Sequence, residues 1–210
     1  MTDLAHPVRV RPCPCRAAGL IDRATLQRVT VVCAPEGTGK TAACSAWMAA
    51  SAGTRYAVWL TVGPEDDPGL FWASVCSGLQ RAGAVPPELT RVLEDGPART
   101  FPLRLVEMAR LSGEPTVIVL DDIDNLTDDH VLTGLNLLAR HAPQNLHLVM
   151  CGRRPPQLQL SKLRASGDLS EIGPAALRAV FADPSCTWHA GRDEKRVWRK
   201  PVASSHEVKR

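Results

Sequence analysis

Short apolar runs recur along the chain, separated by segments whose apolar residues fall at helical spacing. Val29 to Cys33 (VTVVC), Tyr56 to Val62 (YAVWLTV), Thr116 to Leu120 (TVIVL) and Leu146 to Cys151 (LHLVMC) are rich in β-branched side chains and have the length of strands. Leu169 to Ile172 is a shorter last one. The unbroken TVIVL run suits a parallel strand covered on both faces. Between the runs, Thr41 to Ala52 is alanine-rich, and the segment from Pro68 sets Phe71, Val75, Leu79 and Ala82 on one stripe. Phe101 to Leu111 carries Leu105, Met108 and Ala109, and the segment after Thr127 repeats Val131, Leu135 and Leu138. Strands alternating with helices over short connections imply a parallel sheet with right-handed crossovers and helices on both faces. The fold class is therefore three-layer α/β.

Punctuation along the chain supports this division. Asp67 is placed to cap a helix with Pro68 at its first position, and Thr127 is expected to cap the helix that Pro143 ends. Pro86, Pro87, Gly96 and Pro97 mark a long connection, with a helical turn expected at Leu89 to Leu93. Residues 1–24 read as an N-terminal arm in which a short helix is expected from Leu20. Residues 25–180 form the domain, and 181–210 are a basic, turn-rich tail without periodicity, expected to be poorly ordered.

Composition narrows the setting. A hydrophobic share of 44% and a charged share of 22% are those of a soluble globular protein. The net charge of +3 sits mostly in the last thirty residues, so the body lacks the basic stripe that nucleic-acid binding needs. Cys13, Cys15, Cys33, Cys44, Cys76, Cys151 and Cys186 show no metal-ligand or disulfide spacing, which points to a reducing cytoplasm. No apolar run reaches the roughly 18 residues of a membrane span, so no membrane partner is expected.

The chemistry lies in the loop after the first strand. Ala34-Pro35-Glu36-Gly37-Thr38-Gly39-Lys40-Thr41 fits the phosphate-loop pattern G-x-x-x-x-G-K-[ST] except at its first position, where alanine replaces glycine. Gly37 and Gly39 let backbone N–H groups turn toward a phosphate chain at a helix N-terminus, where unpaired donors and the helix dipole favour an anion. Lys40 would bridge β- and γ-phosphates, and the Thr41 hydroxyl would ligate Mg²⁺. TVIVL delivers Asp121 to the C-terminal end of a strand, the edge at which open α/β sheets bind ligands. Asp121 is expected to hold Mg²⁺ through a water, and Asp122 to polarise an attacking water. Many P-loop hydrolases use the longer Glu there, so hydrolysis is expected to be weak at best. Arg153, just after the Leu146–Cys151 run, is a candidate γ-phosphate sensor, and Asp124 and Asp129 read as solvated charges. The fold class sharpens to a P-loop NTPase with ATP and Mg²⁺ as cofactors.

The phosphate loop followed by Trp47, Val58-Trp59-Leu60, Asp67-Pro68 with Phe71-Trp72, Val119-Leu120-Asp121-Asp122, and His147-Leu148-Val149 running to Arg153 resemble a known set. They are similar to the nucleotide-binding domain of LuxR-family transcriptional regulators of the MalT type, and Leu163-Arg164 with Leu169-Ser170-Glu171-Ile172 extends the match. The resemblance covers about residues 25–178. It implies a STAND-class ATPase, in which nucleotide acts as a conformational switch, with a protein partner or self-association as the output. In that family a winged helix, a helical-repeat sensor and a DNA-binding helix-turn-helix follow. They do not fit in the 32 residues after Arg178, so no DNA-binding domain is expected in this chain. The alternative is a non-catalytic remnant or interaction module that keeps the fold without effective nucleotide binding.

Overall fold

The structure is a computed structural model and describes residues 16–63, 67–85 and 100–182. The expected turn at Leu89 to Leu93, the first part of the arm and nearly all of the tail lie outside these residues. The described elements run α1 (Arg16–Ala24), β1 (Val29–Cys33), α2 (Lys40–Ala50), β2 (Tyr56–Thr61), α3 (Pro68–Arg81) and α4 (Phe101–Ser112). They continue as β3 (Thr116–Asp121), one 3₁₀ turn (Ile123–Asn125), α5 (Asp129–His141), β4 (Leu146–Gly152), α6 (Leu160–Ala165), β5 (Leu169–Ile172) and α7 (Pro174–Phe181). The strands form one parallel sheet in the order β2-β3-β4-β1-β5.

Alternation along each strand sorts its side chains between two apolar layers. Val29, Val31, Ile118, Leu120, Leu148 and Met150 pack on the side of α3, α4, α5 and α6, where Phe71, Trp72 and Phe101 form an aromatic knot. Val32, Val117, Val119, Val149, Cys151 and Ile172 face α1, α2 and α7. β3 is buried at every position, as its unbroken apolar run requires. The registers Val31 opposite Met150 and Leu120 opposite Met150 bring the C-terminal ends of β1, β4 and β3 to one edge. That edge carries the phosphate loop.

Two local expectations change. The first helix begins at Arg16, and its Ala17 and Ile21 are fully buried, so residues 16–24 are packed into the body rather than lying within an arm. Asp22 fixes that packing: its carboxylate accepts from the Trp47 indole N–H at 3.1 Å, while the Arg55 guanidinium lies 5.2 Å above the same ring. At the start of α5 the cap is Asp128, which accepts from the N–H groups of His130 and Val131, and not Thr127. The cap thus falls one residue further on, where a carboxylate meets both the open N–H groups and the positive helix end. Asp67 caps α3 as the sequence predicts, accepting from Leu70 N at 2.8 Å.

Cys44 and Cys151 are buried with their sulfurs 3.2 Å apart, and Cys76 is buried in the apolar core as well. No helix among the described residues is long and apolar enough to cross a membrane.

Candidate functional site

The phosphate loop leaves β1 at a buried Ala34, whose N–H donates to the Gly152 carbonyl on β4. The missing first glycine is thus a position where a methyl group fits. Gly37 and Gly39 take φ of 74° and 86°, a region that disfavours any side chain and turns the chain into α2 with Gly39 as its cap. Lys40 opens the helix, and its Nζ donates to the carbonyls of Ala34 (2.8 Å) and Pro35 (3.2 Å), spanning the mouth of its own loop. Thr38 closes the turn by donating to Pro35 O at 2.7 Å.

The loop meets the end of β3 through one contact across 80 residues of sequence. Thr41 Oγ1 donates to Asp121 Oδ2 at 3.0 Å. The other Asp121 oxygen accepts the Asp122 N–H at 3.1 Å. Asp121 is only 5% exposed, and burial pushes its carboxyl above the ordinary range; the Thr41 hydroxyl draws it back, and the neighbouring Asp122 charge adds to the rise. A hydroxyl and a carboxylate side by side are the hard oxygen donors that Mg²⁺ takes, with its remaining positions supplied by phosphates and water. Among the described residues no three His, Cys, Asp or Glu side chains converge as a metal cage. The donor set therefore suits a cation shared with a bound phosphate.

Asp122, expected near the attacking water, is exposed and has φ 56°, a left-handed conformation that Asp tolerates better than most residues. Its backbone, not its side chain, contacts the site. Arg153 emerges from the end of β4. Its guanidinium reaches Glu36 of the loop at 3.2 Å and Asp124 at 3.5 Å, so the structure brings Glu36 and Arg153 together. Both Arg153 and Glu36 are largely exposed, and that pair contributes little by itself.

Asp124 is the residue that sequence reasoning missed. Instead of standing in solvent it accepts the N–H groups of Arg153 (2.6 Å) and Arg154 (3.1 Å), and its side chain is 13% exposed. Gly152 permits the approach, because a Cβ there would lie 2.6 Å from Ile123 and 3.1 Å from the Asp124 carboxylate. Burial pushes the Asp124 carboxyl up, but the two N–H groups and the Arg153 guanidinium outweigh it and hold it below the ordinary range. A group with a lowered folded-state pKa stabilises fully above its unfolded value, and loses that effect as pH falls through the folded one. Asp124→Ala is therefore expected to cost about 1 kcal/mol at neutral pH by removing two charge-assisted hydrogen bonds whose donors solvent can then reach. Denaturant titrations at neutral and acid pH check this, with the gap to wild type closing in acid.

A family model described as an AAA domain matches residues 23–159, which takes in β1, the phosphate loop, Asp121 and Arg153. The HTH-type transcriptional regulator MalT of Yersinia enterocolitica is 25% identical over 180 residues, covering 82% of this chain and 20% of that protein. Its counterpart from Serratia proteamaculans is 27% identical over 184 residues, covering 84% and 20%. The chain thus spans about a fifth of the length of these curated relatives. Among solved structures, a chain in the structure of Drosophila ORC bound to DNA superposes with a TM-score of 0.50 at 13% identity, over 75% of this chain and 86% of that one. At that identity the likeness concerns the fold, a three-layer P-loop NTPase. With the family model spanning well over half of its residues, and with relatives among MalT regulators, the chain belongs to the AAA domain family.

Proposed function

We propose that this domain binds ATP with Mg²⁺ at the C-terminal edge of the sheet and acts as a nucleotide-dependent switch, with slow hydrolysis at most. The Thr41–Asp121 hydrogen bond carries the reading, because it joins the phosphate loop to a strand-end carboxylate remote in sequence. Backbone N–H groups from Gly37 to Thr41 cradle the phosphates at the head of α2, and Lys40 exchanges its loop carbonyls for β- and γ-phosphate oxygens. The Thr41 hydroxyl would hold Mg²⁺ and Asp121 would steady it through a water; the ion, when bound, would supply charge neutralisation to the phosphates. Arg153, steadied by Asp124, turns from Glu36 to the terminal phosphate and so distinguishes triphosphate from diphosphate. Asp122 is the candidate group for polarising water; its short, exposed side chain supports slow turnover.

The MalT relatives bear the name of HTH-type transcriptional regulators, which favours a regulatory output delivered through a protein partner or self-association. A fluorescent ATP analogue titrated with and without Mg²⁺ tests the reading. Saturable, Mg²⁺-dependent binding that ATP displaces is expected. Absence of saturable binding would establish the alternative, a remnant that keeps only the fold.

A further inference from the structure

The groups at the C-terminal sheet edge divide by chemistry about β1. On one side lie β4 and β3, which present Arg153, Asp121 and Asp122. On the other lies β5, whose chain turns at Gly173 into α7. There α7 turns Ala176, Leu177, Val180 and Phe181 toward the layer of α2, while Arg178 stays exposed and Glu171 of β5 pairs with Arg164. Leu177 anchors α7 with no exposure, and Val180 and Phe181 pack against the layer that holds Ala34 and Ala43. The Phe181 ring reaches the phosphate loop itself: a Cβ on Gly39 would lie 2.5 Å from its Cε2 and 2.9 Å from its Cζ. The ring is partly exposed, so it does not serve the core alone.

A polyphosphate on the loop places its terminal group beside the Thr41–Asp121 pair, on the β3–β4 side. The rest of the ligand must then leave toward β5 and α7. From this we infer that Phe181 is the residue that receives the nucleoside, its ring offering an apolar wall to a planar base beside the head of α2. The inference rests on the phosphate-site reading above. Every base has a π-face, so contact of this kind tolerates base identity and discriminates nucleotide from bare polyphosphate.

Competition titrations with ATP, GTP and inorganic tripolyphosphate, each with Mg²⁺, test the assignment in wild type and Phe181→Ala. In wild type both nucleotides bind more tightly than tripolyphosphate. Phe181→Ala weakens both by about five- to a hundredfold and leaves tripolyphosphate unchanged, while Phe181→Tyr retains nucleotide binding. Unchanged nucleotide affinity in Phe181→Ala overturns the assignment, and so does an equal loss for nucleotide and tripolyphosphate, which would mark Phe181 as a prop for the loop. Wild-type protein that binds tripolyphosphate as tightly as ATP also overturns it while leaving the phosphate site standing. Wild-type protein that binds none of the three overturns the phosphate-site reading and this one with it.

Discussion

Replacing Lys40 by Ala lowers the affinity for a Mg²⁺-bound ATP analogue by at least about tenfold. Hydrogen bonds to a charged partner are worth about 1.5–3 kcal/mol, and 1.4 kcal/mol is a factor of ten in a dissociation constant. The ammonium group sits at the mouth of the loop with its donors on the Ala34 and Pro35 carbonyls, 2.8 and 3.2 Å away. A phosphate that takes over those donors replaces a contact between a cation and a neutral carbonyl with one between opposite full charges. The variant also loses the brace that holds the loop in shape, so its stability must be measured beside its affinity. An intact fold with weakened binding is the expected result. Equal binding by wild type and variant would remove Lys40 from the site and, with it, the switch reading.

Much of the fold around the candidate site is legible in the sequence, for reasons that are local. VTVVC and TVIVL are strands because β-branched runs suit a sheet covered on both faces, and Gly37-Thr38-Gly39 is a loop because two glycines stand between a strand and the helix that Lys40 opens. Their convergence follows from topology: parallel strands present all their C-terminal ends at one edge. Asp124 was not legible, because its role depends on a 3₁₀ turn that sets its carboxylate beneath the end of a neighbouring strand. No pattern within a few residues of Asp124 records where Gly152 will pass. The contact of Phe181 with Gly39 is not legible for a similar reason, since it depends on α7 folding back against the phosphate loop. The start of α1 was hidden by arginines, a glycine and alanines among Pro and Cys, although Ala17 and Ile21 pack fully inside. Small residues give weak periodicity and strong burial.

Asp121→Asn is expected to do two opposite things, and the pairing is what makes it informative. Burial raises the Asp121 pKa, meaning that folding penalises its ionised form in the absence of a cation. The folded chain then holds that proton more readily than the unfolded chain, and stability falls as pH rises from the unfolded carboxylate pKa through the raised folded value. Above that window the penalty is fully present. The amide carries no such charge; with its oxygen accepting the Asp122 N–H and its NH2 donating to the Thr41 hydroxyl it keeps both partners, and should make the nucleotide-free protein more stable than wild type at neutral pH, with the difference vanishing in acid. With nucleotide present the order reverses. Mg²⁺ favours an ionised oxygen, so wild-type binding should tighten markedly on adding the ion, while the Asn variant loses most of that gain, by about tenfold or more. Thermal unfolding across pH measures the first effect and nucleotide titration across Mg²⁺ concentration the second. A variant that is destabilised without nucleotide and still responds fully to Mg²⁺ would make Asp121 a structural carboxylate tied to Thr41. A stabilised variant blind to Mg²⁺ places the cation where the loop and β3 meet, at the cost in stability that a buried charge awaiting its partner imposes.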